Sequence, residues 1–331
     1  MTWLARNREA TLAVLIVLLV AAVSLYAPAF ATPASLLGVL NDTAFLFMLA
    51  LGQTMVILTR GIDLSVAANL ALSGMLVALV GQYGPDMPAP VYLTLAIAIG
   101  AGLGGLIGGL VGGLGIPPIV VTLGALAIYR GMIVVIGGGD QVNASEMGAS
   151  FQAFPKLAVF GLTSPFWIAV IVAIACQVFL TRSRTGRGLY AVGGNPVAAR
   201  YCGVSLERTQ FLVYALSGAI SGLCGYLWVA RYGVAYSEIA LGYELTVIAA
   251  CVIGGVSIGG GVGTVPGALL GALFLGAIVN ALPTMQVSPF WQMAIAGGVI
   301  LGAVVINARA ETRTGKLILP EARGSAKAAR P

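Results

Sequence analysis

Between Thr11 and Ala27 the chain carries no charged residue, and apolar runs of similar length recur almost to its end. A helix of about 17–25 such residues crosses the hydrocarbon core of a bilayer. Charged residues make up only 8 % of the 331, whereas a soluble domain carries about 25 %. A water-facing surface cannot be built from so few charges, so most of this surface faces lipid. In lipid every backbone N–H and C=O needs a partner inside the protein, which leaves helical bundles or closed barrels. The runs are continuous rather than alternating with period two. The sequence therefore predicts an all-α, polytopic transmembrane helical bundle, with residues 1–331 forming one membrane-spanning domain.

Segments of spanning length fall at about 10–30, 43–59, 65–82, 91–113, 119–137, 165–181, 209–230, 244–257, 264–282 and 290–307. That is about ten segments, the eighth of them short and ending in Gly254-Gly255, as a broken helix would. Lys and Arg set the orientation, because cytoplasmic connections retain them. With both termini cytoplasmic, Arg6, Arg8, Arg60, five arginines in the 182–208 loop and six basic residues in the 309–331 tail lie inside. Lys156 and Arg231 lie outside, and Arg130 falls within a span. The short N-terminus, residues 1–9, has the basic start of a signal peptide. Its apolar run is longer than the usual 7–15-residue signal core, so an uncleaved first helix is expected.

The net charge of +6 follows from these helix-end clusters, and no aromatic-interleaved basic module points to nucleic acid. Four cysteines, Cys176, Cys202, Cys224 and Cys251, are too far apart for a metal or redox motif. The absence of histidine removes the commonest general base and metal ligand. No catalytic residue and no metal site is expected. Glycines recur at every fourth position, as Gly100, Gly104, Gly108, Gly112 and as Gly105, Gly109, Gly113. Such spacing lets another helix approach closely. The GxGxxG match at Gly100, Gly102 and Gly105 lacks the strand and βαβ unit that a dinucleotide site needs.

Three stretches depart from generic membrane helix. In Gln53–Ser73 a helix ends near Arg60, the chain turns at Gly61, and a new helix begins that Asp63 or Ser65 can cap. Gln53, Asn69 and Ser73 are polar at depth, so they either line a translocation path or hydrogen-bond between helices. In Ile253–Asn280 two helices flank a glycine-rich loop, and Asn280 joins the candidate path residues. Both stretches carry a related break, Gly61-Ile62-Asp63-Leu64 and Gly255-Val256-Ser257-Ile258. Interrupted helices at corresponding places point to a transporter's gate or substrate site. Arg130 is either a path residue or a guanidinium that snorkels outward past Gly137. The third stretch, Thr181–Arg208, holds a short helix: Asn195 suits its N-cap, Pro196 its first turn and Gly203 its left-handed stop. Val197 and Tyr201 share a face of it, with Ala198 and Ala199 between them.

The pieces LTRGIDLSV, IPPIVVTLGALAIYRG, TGRGLYAVGGNPVAARYCGV and IGGVSIGGGVGTVPGALLGA resemble the permease family of bacterial ATP-binding-cassette importers for ribose, xylose, rhamnose and autoinducer-2. Ala67 departs from the glycine usual after that first piece. The resemblance implies a protein of the bacterial inner membrane that imports a sugar-like solute by alternating access. It makes the helix from Asn195 to Gly203 the element that couples to a cytoplasmic ATPase. It also implies a second permease, copy or paralogue, and a periplasmic solute-binding protein. This chain needs no cofactor of its own, ATP and magnesium belonging to the ATPase. The residues agree: Gly315-Lys316 is followed by Leu317, so there is no Walker A motif. Asp42, Asp86, Asp140, Glu146, Glu238 and Glu244 sit at outer ends or loops, which disfavours an ion-coupled secondary transporter, the alternative reading. An intramembrane enzyme would need paired acids or a metal cluster, and neither is evident.

Overall fold

The computed structural model describes residues 8–302 apart from Pro289, Met293, Ala296, Val299 and Ile300. Arg6, the tail 309–331 and much of the expected tenth segment lie outside the described residues. Local chemistry marks the helix ends. Pro at the first turn opens α2 (Pro33–Leu58), where the Thr32 side chain accepts from Ser35 N at 3.4 Å. α1 (Arg8–Tyr26) precedes it, and α3 (Val66–Tyr83) follows a short break. α4 (Ala89–Gly108) runs into a π-helical turn at Gly109–Gly113. α5 (Pro118–Gly137) stops at Gly138, whose φ of 68° suits a residue without Cβ.

Next come a short helix α6 (Ala149–Lys156), the long α7 (Ser164–Arg182), α8 (Arg184–Gly194) and α9 (Pro196–Tyr201). α10 (Leu206–Tyr232), the short α11 (Tyr243–Ile253) and α12 (Val265–Thr284) follow, and the described residues from Phe290 on are helical again. Eight of these are long and apolar enough to cross a membrane. The broken eighth segment expected from the sequence is α11, which is too short to count among them. Among the described residues strand is confined to two-residue pairs, β1 (Val142–Asn143) with β4 (Val234–Ala235) and β2 (Ala158–Val159) with β3 (Leu162–Thr163).

α10 is the axis of the bundle. It lies along α4 and α3 and touches α2, which packs in turn on α12, α7 and α11. α3 and α10 are mostly buried, whereas α1, α5 and α7 expose most of their apolar surface, as lipid-facing helices do. Missing side chains set the closest contacts. A Cβ at Gly100 or Gly104 would run into the backbone of Gly218 or Tyr214, and one at Gly222 into Ala96. The first glycine series therefore seats α4 on α10 as expected. The second does not: Gly109 and Gly113 have open space in front of them.

The two ends of the bundle differ in charge. Arg60 and the arginines of 182–208 share one end with the start of α1, where Arg8 lies against Gly255. At the other end Arg231 pairs with Asp42, and Gln82 donates to Glu146 at 3.0 Å. Aromatic packing closes that second end. Phe151 of α6 wedges against Tyr92 and Tyr226, with ring centroids 4.9 and 5.0 Å away, and Tyr226 Oη donates to the Phe151 carbonyl at 3.0 Å.

Candidate functional site

Between α2 and α3 the chain folds back into the bundle instead of making a surface turn. Arg60, not Gly61, takes the left-handed conformation, with φ of 66°. Gly61 is required for another reason: a Cβ there would press on Tyr214 Oη and Val56. Asp63, Ser65 and Asn69 are buried. Asp63 Oδ1 accepts from Ser65 N at 2.9 Å and from Ser65 Oγ at 2.6 Å, an Asx turn. Ser65 holds the N-cap position of α3, yet neither side chain caps that helix, which corrects the expectation. Burial pushes the Asp63 carboxyl above its ordinary range, while the two Ser65 hydrogen bonds oppose the shift. Gln53, one turn inside α2, faces this segment. With its amide oriented to satisfy both ends, its nitrogen donates to the Asp63 carbonyl at 3.2 Å and its oxygen accepts from Asp63 N at 3.1 Å.

The second break, residues 254–264, repeats the local pattern. Gly255 is left-handed at φ 87°, and Ser257 Oγ accepts from Gly259 N at 3.2 Å, two residues on, as Asp63 does from Ser65. Ser257 N closes the loop by donating to the Val262 carbonyl at 2.9 Å. The two breaks meet at the basic end, where Gly261 N donates to the Leu58 carbonyl at 3.0 Å. The weak sequence echo thus corresponds to two turns in contact.

The 182–208 loop arrives at the same place. Asn195 Oδ1 accepts from Val197 N at 3.1 Å and Ala198 N at 3.0 Å, so it caps α9. Gly203, at φ 81°, ends it: Val204 N donates back to Ala199 O and Gly203 N to Arg200 O, each at 3.0 Å, a Schellman stop. Val197 is 66 % and Tyr201 89 % exposed, whereas Ala199 is buried. Ala199 therefore belongs to the face packed on this chain. The loop also holds α8, which sequence reasoning passed over because its RTGRGLYAVGG is poor in helix formers. Ser183 caps it by accepting from Gly186 N at 2.8 Å.

The end of α8 is clamped to the end of α2. Arg60 Nε donates to Gly193 O at 2.7 Å and Nη2 to Gly194 O at 2.9 Å. A guanidinium there satisfies carbonyls left free at a helix C-terminus and meets its negative dipole end. A Cβ at Gly193 would fall onto the Leu58 carbonyl and the Gly261 amide. Tyr190 Oη adds a bond to Gly263 O at 3.1 Å. Three chain segments thus meet within van der Waals distance just before α9. Sequence reasoning used Arg60 as a topology charge and as a helix end, and did not anticipate its bonds to Gly193 and Gly194 or the roles of Tyr190 and Tyr214.

The remaining candidates are dispersed. Asn69 donates to the Gly100 carbonyl at 3.2 Å, joining α3 to α4, and accepts from Ser73 Oγ at 3.0 Å, a bond within α3. Arg130 Nη1 donates to the carbonyls of Ser237 and Ile239 at 2.9 and 2.8 Å, in the loop at the far end. Asn280 bonds its own helix at Gly276 O, at 2.9 Å. Arg130 and Asn280 do not join the Gln53–Asp63 group. Among the described residues no cluster of His, Cys, Asp and Glu could hold a metal ion.

Residues 35–304 match the family described as branched-chain amino acid transport system / permease component, which is most of the chain. The chain belongs to that family. This permease is 36 % identical over 294 residues to the ribose import permease protein RbsC of Escherichia coli (strain K12), covering 88 % of this chain and 91 % of the relative. It is 34 % identical over 309 residues to the autoinducer 2 import system permease protein LsrC of Salmonella paratyphi B, covering 93 % of this chain and 88 % of the relative. No solved structure matches the permease.

Proposed function

We propose that the chain is the membrane-spanning permease of an ATP-driven importer, moving a ribose-, rhamnose- or autoinducer-2-like solute from periplasm to cytoplasm by alternating access. The named relatives import ribose and autoinducer 2 and align along nearly their whole length. The basic end of the bundle would face the cytoplasm of a bacterial inner membrane. A cytoplasmic ATP-binding-cassette subunit would supply ATP and magnesium, a periplasmic binding protein would deliver solute, and a second permease would complete the path.

The observation that carries this reading is the outward face of α9. A helix of six residues has little stability of its own, yet this one is capped at both ends and aims Val197 and Tyr201 away from the bundle. An exposed apolar face on a rigid, basic loop suits docking into a protein groove. Purified chain alone should show no ATPase activity. With the ATPase and the binding protein encoded alongside it, hydrolysis should rise when the binding protein is liganded. Robust hydrolysis by the chain alone would contradict the reading.

A further inference from the structure

The clamp that caps α8 also ties it to the end of α2 through one side chain. Arg60 is a non-glycine residue in the left-handed region, a strained conformation that persists only where its surroundings hold it. Its guanidinium fork spans two successive carbonyls, Gly193 O and Gly194 O, immediately before the cap of α9. On the other side, directly after it in the chain, Gly61, Asp63 and Ser65 are buried, and Gln53 holds the Asp63 backbone.

We infer that Arg60 is the positioning residue through which a displacement of α9 reaches the Gly61–Ser65 break. This rests on the proposed docking of α9 on an ATPase. The close approach of Gly193 to Leu58 and Gly261 is a packing contact, which resists compression steeply and separation only through weak dispersion attraction. The two Arg60 hydrogen bonds resist separation. They connect the end of α8 directly to the chain that enters the break. Other routes leave this loop, one from Tyr190 through Gly263 and Gly261 to Leu58, another from α9 along the chain into α10, where Arg200 pairs with Glu207 at 3.1 Å. Among the described residues only the Arg60 fork bonds the loop to the residue that enters the break. The part of a pull on α9 that reaches the end of α8 acts on Arg60, and through it on the chain leading to Asp63 and α3. Coupling of this kind needs a linkage to an element with two arrangements, and this inference gives that part to the break between α2 and α3.

Arg60→Gly separates this role from folding, because glycine relieves the left-handed strain while removing the fork. The complete importer in nanodiscs would be followed by hydrogen–deuterium exchange, nucleotide-free and trapped with ATP and vanadate. In the wild type, trapping should change exchange in both 184–203 and 59–69. In Arg60→Gly the change at 184–203 should remain and that at 59–69 should shrink at least about fivefold, with ATP hydrolysis retained, because the linkage is cut beyond the docked helix. Arg60→Lys, one ammonium in place of a fork, should give an intermediate response, and it carries the same test should the glycine variant not assemble. An undiminished response at 59–69 in either variant would overturn the proposal. No response at 184–203 in the wild type would instead remove the docking reading beneath it.

Discussion

The Gln53 side chain bonds the backbone of Asp63 in both directions, at 3.2 and 3.1 Å, as a neighbouring strand would. It thereby satisfies both peptide groups of Asp63, a buried residue in a segment that leaves helical geometry. Gln53→Leu keeps the volume and removes both bonds. The variant should lose about 1–3 kcal/mol for each orphaned group, read as a lowered midpoint of unfolding in detergent. An unchanged midpoint would mean that Gln53 does not hold the break.

Asp63 gives a prediction with a sign. Its carboxyl is held above the ordinary range by burial, so over the window just above that range the folded chain keeps a proton that the unfolded chain has lost. Stability should therefore fall as pH rises through the window. Asp63→Asn keeps an acceptor for Ser65 without the charge. It should match the wild type in acid and unfold at a higher temperature near neutrality. Asp63→Ala leaves Ser65 N and Oγ without their acceptor and should lose about 1–3 kcal/mol at either pH. An asparagine variant less stable than the wild type near neutrality would contradict this account.

The glycine faces should respond oppositely. Gly104→Val places a side chain against the backbone of α10, and expression of folded protein should collapse. Gly102→Ala meets open space and should express at the wild-type level. Equal expression of the two variants would refute the seating of α4 on α10.

Much of this was readable in the residues. Charge scarcity demands lipid, and lipid demands helices, so the spans appear as apolar runs. Asn195 and Gly203 act locally, and local rules place them well. What escaped depends on contacts far along the chain. Arg60 meets carbonyls 133 and 134 positions away, and nothing near it indicates that pairing. α8 escaped because its glycines, poor helix formers, are used for close packing: Gly186 lies on the Phe179 carbonyl and Gly193 on that of Leu58. Asn69 and Ser73 could equally have lined a path or joined helices, since a polar residue at depth does not say which.

Two substitutions in α9 separate docking from packing. Tyr201 is exposed, so Tyr201→Asp should leave the permease folded while a partner ATPase no longer co-purifies. Ala199 faces its own bundle, so Ala199→Glu should destabilise the loop itself, seen as faster proteolysis of 184–208 before any partner is added. Co-purification at the wild-type level by Tyr201→Asp would place the docking surface elsewhere.

In the proposed importer, ATP on a partner subunit, and no ion gradient, drives solute through this chain. Proteoliposomes holding the permease, its ATPase and its binding protein would be loaded with ATP and given the labelled ligand found by screening that binding protein. Uptake should require ATP, persist when ionophores abolish the proton and sodium gradients, and stop when the ATPase is inactivated by mutation. Uptake that survives the inactive ATPase and collapses with the ionophores would contradict it.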